Sequence, residues 1–220
     1  MLAIDLINDL ISPLKTSDSA EKALHMMEDF KISHLPIVND TEFLGLISDD
    51  DIFEMNDDAQ PIGNHQLSLV HPFVYRYQHI YDVMRLMAEQ KLTVVPVLDE
   101  KNNYLGMISI NSLLNYFSEI ASLSGPGGVL VLEIGQREYS LSEISRIVES
   151  NDANVLSSYI TSNADSSRVE VTLRIDRSDL SAIAASFERF NYTVLSSFDQ
   201  KARIDDTMDR FDSFMNYLNI

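Results

Sequence analysis

The sequence contains no cysteine and no tryptophan. Without cysteine there are no disulfides, no thiolate zinc sites and no thiol nucleophile, and nothing in the composition calls for an oxidising compartment. Uninterrupted apolar runs of about 18 residues, the length a membrane helix needs, are also missing. The opening stretch MLAIDLINDLISPLK carries Asp5 and Asp9 where a signal peptide would have a basic flank and an apolar segment. A cytoplasmic protein with no membrane partner is the expectation. Basic side chains are scarce as well, 16 Lys and Arg against 34 Asp and Glu, giving a formal net charge of −18. Both halves share the imbalance, with 19 acids and 7 bases in residues 1–122 and 15 and 9 in residues 123–220. Nucleic acid is bound through basic grooves that displace counterions, so a surface of this sign excludes it as a direct partner. No Gly-x-Ser-x-Gly elbow, phosphate-binding glycine loop or paired-histidine metal motif is present, and no enzyme activity is expected.

What is present is 220 residues, 45% of them hydrophobic, enough for two compact units. The first is built by repetition. KISHLPIV (Lys31–Val38) and KLTVVPVL (Lys91–Leu98) align with Pro36 and Pro96 in register, an offset of 60 residues. Upstream, SAEKALHMMEDF and HIYDVMRLMAEQ share the apolar positions Ala20/Ile80, Ala23/Val83, Leu24/Met84 and Met27/Met87, spaced as one face of a helix. Downstream, FLGLISDDDIF and YLGMISINSLL align at Gly45/Gly106 and Ser48/Ser109, each an apolar run with a glycine and then a polar cluster that opens a second helix. Farther upstream Ser12-Pro13-Leu14 matches His71-Pro72-Phe73, so each copy reads short strand, helix, strand, strand, helix.

This order, with hxxhP after the first helix and Gly-h-h-Ser-x-x-Asp after the second strand, resembles the cystathionine-β-synthase (CBS) domain over about residues 1–120. Asp51 occupies the last position in the first copy, and Ser112 replaces it in the second. The resemblance implies two repeats packed as a pseudo-twofold pair with two clefts. In adenosyl-binding relatives the Ser-x-x-Asp of one repeat meets the first strand and the hxxhP strand of the other. Carried over by position, that puts Ser48, Asp50 and Asp51 with Phe73, Val74, Thr93 and Val94 in cleft one. Cleft two takes Ser109 and Ser112 with Leu14, Lys15, Ser33 and His34.

An AMP-like or S-adenosylmethionine-like ligand is what the resemblance implies, with no required cofactor and no metal. Helix N–H groups would meet a phosphate and the Asp51 carboxylate the ribose hydroxyls. Asp49, Asp50 and Asp51 together disfavour a polyphosphate in cleft one. The plain alternative is that Asp51 is a helix cap worth about 1 kcal/mol. Asp49–Asp51 with Glu54, Asp57 and Asp58 lacks the glycine and spacing of a calcium loop and reads as a solvated acidic helix start. His25, His65, His71 and His79 show no metal-ligand spacing.

Gly125-Pro126-Gly127-Gly128 marks a linker over residues 123–128, and the period changes after it. Val129–Ile134 reads as a buried strand, and Ser140-Leu141-Ser142-Glu143 as a capping box for a helix presenting Ile144, Ile147 and Val148. Val155–Ile160 and Val169–Ile175 are two further strands joined across residues 163–167. A helix from Asp179 through Ile183, Phe187 and Phe190 and a strand Thr193–Phe198 complete a βαββαβ, ferredoxin-like order over residues 129–200.

Following a CBS pair, this unit resembles an ACT domain, and the combination is similar to CBS–ACT regulators of the acetoin-utilisation type. The Asp-x-x-Gly turn of amino-acid-binding ACT domains is replaced by Gly135-Gln136-Arg137-Glu138-Tyr139, so Gly135–Ser140 is the place to look for an effector, and a plain turn in a dimerisation domain is the other reading. The tail over residues 201–220 places Met208, Phe211, Met215 and Leu218 on one helical face. The fold class expected is mixed α/β (α+β). The function expected is non-catalytic regulation through a homodimer that senses an adenosyl ligand and acts on an unknown regulated protein; the alternative is a ligand-free interaction or oligomerisation module.

Overall fold

The computed structural model describes residues 1–55, 60–65, 69–123, 125–162 and 167–199. Asp57, Asp58, most of the turn at 163–167 and the tail helix expected for 201–220 lie outside the described residues. The chain forms two compact units, residues 1–116 and 117–220, divided inside a helix. The architecture is mixed α+β.

In the first unit, helix α1 (Ala20–Phe30), strands β1 (His34–Asn39) and β2 (Glu42–Ser48) and helix α2 (Asp49–Phe53) make the first repeat. Strand β3 (Val74–Tyr75), helix α3 (Ile80–Gln90), strands β4 (Val94–Leu98) and β5 (Tyr104–Ser109) and helix α4 (Ile110–Ile120) make the second. The local chemistry repeats with the sequence. Ser19 caps α1 by accepting from Lys22 N, and His79 caps α3 by accepting from Tyr81 N. Both helices end at a lysine in the left-handed region, Lys31 and Lys91 (φ 55° at each). The buried residues of α1 are Ala20, Ala23 and Met27 and those of α3 are Ile80, Val83 and Met87, the positions expected from the period.

Leu14 bridges Ile37 in parallel, and Val74 pairs with Val97 in parallel. The backbone therefore makes Val74 the equivalent of Leu14, one residue beyond the match suggested by Pro13 and Pro72. The extra residue falls in the entry segment, where no helix or long strand holds the count.

The repeats exchange their entry segments. Leu46 N of the first repeat donates to Val70 O ahead of the second (2.9 Å), and Asn8 N ahead of the first donates to Met107 O of the second (2.9 Å). A glycine makes room at each crossing. A Cβ on Gly45 (φ +141°) would collide with Leu69, and one on Gly106 (φ +155°) with Ile7. Both glycines sit opposite an irregularity in the ladder, between Ile37 and Val38 and between Val97 and Leu98. Each sheet thus obtains an edge from the other repeat, and a single apolar cluster holds residues of both, among them Leu14, Leu35, Ile37, Leu46 and Ile47 with Val74, Val94, Val95, Val97, Met107 and Ile108. One repeat alone would expose half of this core.

The second unit contains β6 (Gly128–Gly135), α5 (Leu141–Glu149), β7 (Val155–Ser162), β8 (Arg168–Ile175), α6 (Ser181–Arg189) and β9 (Thr193–Phe198). The sheet order is β7-β8-β6-β9 with every neighbouring pair antiparallel. This is the split βαβ, ferredoxin-like topology. Leu130, Leu132, Ile134, Val169, Val171, Leu173 and Ile175 face Ile144, Ile147, Val148, Ile183 and Phe187 of the helices. The helix expected to begin at Asp179 starts at Ser181, and Phe190 is its exposed C-terminal cap instead of a third packing residue. Asp179 sits just ahead of the helix, its Oδ1 accepting from Ser181 N at 3.1 Å.

Candidate functional site between the repeats

Ser48 ends β2 in an extended conformation (φ −101°, ψ 164°) and caps α2. Its Oγ accepts from Asp51 N (3.1 Å), while Asp51 Oδ2 accepts from Ser48 N (2.8 Å) and from Ser48 Oγ (2.6 Å). Asp51 is thus the acidic half of a capping box. Its Oδ1 has no hydrogen-bond partner among the described residues. Asp50 is exposed, and its N–H donates to Asp49 Oδ1 (3.0 Å). The capping role of Asp51 therefore falls on one oxygen of its carboxylate.

The second repeat reaches this helix start through His34. The antiparallel register of β1 and β2 sets His34 opposite Ser48, so the imidazole lies beside the start of α2. Thr93, which precedes β4, meets it from the other repeat: Thr93 Oγ1 is 3.0 Å from His34 Nδ1, and Thr93 N donates to the same nitrogen at 3.4 Å. Ser33 N in turn donates to Thr93 Oγ1 (2.9 Å). Two further bonds repeat across the pair, Asp49 N to Ser33 O (3.1 Å) and Ile110 N to Thr93 O (2.9 Å). Burial holds His34 below its ordinary pKa against the opposing pull of Asp49, Asp51 and Asp50. Family position puts His34 in cleft two, yet its charged neighbours are the acids assigned to cleft one.

Of the remaining cleft-one residues, Val94 is buried and pairs with Ser109, and Val74 is buried opposite Val97. Their side chains belong to the core, which leaves their backbone as what they could offer a ligand. Phe73 packs edge-on against Tyr75 with ring centres 5.3 Å apart, and Tyr75 stacks on Tyr77 at 5.5 Å. At the start of α4, Ser109 Oγ accepts from Ser112 N (3.1 Å) and the two hydroxyls are 3.0 Å apart, so a neutral pair stands where the first repeat has its carboxylate. The junction of Ser33, His34 and Thr93 was not anticipated as a unit; its one visible signal is that hydroxyl residues occupy the same position of both repeats.

The second unit holds a cavity of about 320 Å³ beside the turn singled out at Gly135–Ser140. Its lining includes Glu133, Glu138, Glu143, Arg168 and Tyr192. Arg168 Nε pairs with Glu133 at 2.7 Å, and burial together with a hydrogen bond to Glu143 pushes the Tyr192 phenol up to about 12. Among the described residues no group of three or more His, Asp or Glu side chains is placed to hold a metal ion. No helix among them is long and apolar enough to cross a membrane.

Comparison with known structures finds likeness over about half of the chain. A CBS domain pair/ACT domain protein from Thermotoga maritima is 21% identical, covering 54% of this chain and 98% of its own, with a TM-score of 0.47. The CBS-pair protein CBSX2 from Arabidopsis thaliana is 19% identical, covering 54% and 95%, with a TM-score of 0.46. A structure of CBSX2 in complex with AMP is 20% identical, covering 54% and 97%, also at 0.46. The CBS domain family model matches twice, over residues 9–57 and 70–119, which are the two repeats seen in sequence and structure. Residues 9–57 and 70–119 therefore each resemble a CBS domain.

Proposed function

We propose that the protein is a non-catalytic regulator whose CBS pair, residues 1–122, binds an adenosyl compound in the cleft of Ser48, Asp50, Asp51, Phe73, Val74, Thr93 and Val94. The observation that carries this reading is the division of labour at Asp51. Oδ2 holds the helix start, and Oδ1 remains without a partner among the described residues, as a ribose acceptor must. Three consecutive aspartates beside a histidine held neutral make the cleft repellent to a triphosphate. A monophosphate or a zwitterionic adenosyl compound suits it better. Residues 123–128 act as linker and residues 129–200 as an ACT-like unit resembling that of acetoin-utilisation-type regulators. The protein works in the cytoplasm as a homodimer, and occupancy of the cleft changes how it meets a regulated protein.

A second reading, a ligand-free interaction module, is favoured by one observation: Thr93 has both its N–H and its hydroxyl engaged by Ser33 and His34. A thermal-shift series with AMP, ADP, ATP and S-adenosylmethionine separates the two. At a ligand concentration 100 times the Kd, the native state gains about 2.7 kcal/mol, a rise of several degrees in Tm. That rise is expected for AMP or S-adenosylmethionine with the wild type and is expected to vanish in Asp51→Ala. Without ligand, Asp51→Ala loses only its capping contribution, about 1 kcal/mol. A cooperative melt that no adenosyl compound moves would establish the interaction module instead.

A further inference from the structure

The residues at the axis between the repeats form a reciprocal latch. Positions 33 and 93 are equivalent in the two copies, and the backbone N–H at each is satisfied by a side chain from the opposite copy. Ser33 N donates to Thr93 Oγ1 at 2.9 Å, and Thr93 N donates to His34 Nδ1 at 3.4 Å. The Thr93 hydroxyl, already an acceptor from Ser33 N, has its own proton free to donate to Nδ1 across 3.0 Å. Two N–H or O–H groups thus converge on one ring nitrogen. Such an arrangement requires Nδ1 to be the unprotonated nitrogen and places the ring proton on Nε2.

We infer that His34 is a pH-operated latch between the two CBS domains, closed when the imidazole is neutral and released when Nδ1 takes up a proton. A proton on Nδ1 would point at Thr93 N–H, which loses its acceptor, and would turn the Thr93 hydroxyl from donor to acceptor, so one bond between the repeats is broken and the other is reversed. The groups that would receive the displaced imidazolium lie on the adjoining helix start. Asp49, Asp50 and Asp51 of α2 are the charged groups that act on His34, while β2 presents Ser48 and the second repeat presents Thr93, neither of which is charged. No basic side chain is among those influences. Release therefore exchanges a bond between repeats for an ion pair within the first repeat, and the latch works whether or not a ligand enters the cleft.

The sign of the pH effect follows from the same geometry. The folded His34 sits below its ordinary value near 6.5, with burial as the leading cause. Its contribution to stability is complete above pH 6.5, where folded and unfolded chains are both neutral there. As the pH falls below 6.5 the unfolded chain takes up the proton first, and the contribution declines until the folded group titrates as well.

The test compares wild type with His34→Asn, whose amide oxygen replaces Nδ1 as an acceptor that does not titrate. Between pH 7.5 and 5.5, the wild type is expected to lose about 3 °C more in Tm than His34→Asn. After correction for intrinsic exchange rates, protection of the Thr93 amide is expected to fall about tenfold in the wild type and to stay constant in the variant. Equal pH dependence in the two proteins would overturn the latch. Should His34→Asn fail to fold, the ring-carbon NMR titration of His34 in the wild type decides: a midpoint below 6.5, with the Ser33 and Thr93 amide shifts following it, supports the latch, and a midpoint at or above 6.5 refutes it.

Discussion

Gly45→Ala is expected to destabilise the first unit by about 3 kcal/mol, seen in urea unfolding as a lower midpoint with an unchanged slope. Two costs combine. The backbone at Gly45 has φ +141°, a conformation that residues with a Cβ rarely adopt. The added methyl would also lie 3.0 Å from Val70 O, a backbone atom fixed by its bond from Leu46 N, besides striking the Cβ of Leu69. Relief would require the entry segment of the second repeat to lift off β2, and that segment supplies the edge of the first repeat's sheet. Gly125→Ala is the matching control, because a Cβ there meets nothing within 4 Å. It is expected to change stability by less than about 0.5 kcal/mol. A Gly45→Ala protein as stable as the control would mean that the exchanged segments contribute little to holding the pair together.

That crossing also shows where the sequence was informative and where it was silent. The helix faces were legible because Ala20, Ala23 and Met27 and their counterparts Ile80, Val83 and Met87 obey a 3.6-residue period, and burial must follow it. Gly45 and Gly106 were visible as a repeated feature, but their purpose was not. A glycine in a strand signals that something approaches, and only the fold says that it is Leu69 in one case and Ile7 in the other. Matching Pro13 to Pro72 sets Phe73 against Leu14, one residue short of Val74, because the two residues of β3 carry too little pattern to override an alignment on proline.

The candidate cleft divides in the same way. Ser48 and Asp51 are three apart at a helix start, so their mutual capping is local and can be read directly from the sequence. His34 and Thr93 are separated by 59 residues, and their contact depends on how two repeats meet, which no periodicity encodes. An alignment by family position sends His34 to one cleft. Strand register sends it to the acids of the other.

Phe187→Ala carries the largest expected loss, about 4 kcal/mol, and the loss should be confined to the second unit. Phe187 is completely buried and packs with Ile144, Ile147 and Ile183 beneath the sheet, every residue of that cluster lying within the second unit. The first unit has its own core drawn from both repeats. Hydrogen exchange is therefore expected to show lost protection along β6 and β8 while the Leu35, Ile37 and Val95 amides of the first unit keep theirs. Equal loss in both units would show that the two cores stand or fall together.

The milder Phe187→Leu, at about 1.5 kcal/mol, leaves the unit folded and isolates one consequence. Phe187 meets Tyr192 edge-on with ring centres 5.5 Å apart, and Tyr192 lines the 320 Å³ cavity with its hydroxyl bonded to Glu143. Leucine removes the edge that holds the ring in place. The Tyr192 phenol, followed by ring-carbon NMR, is then expected to titrate below the value of about 12 it has beside Phe187, moving toward the ordinary 10 as water reaches it. A titration that stays at its wild-type position would assign the shift to the surroundings other than Phe187, Glu143 and Glu138 among them, and would separate the packing of the core from the chemistry of the cavity wall.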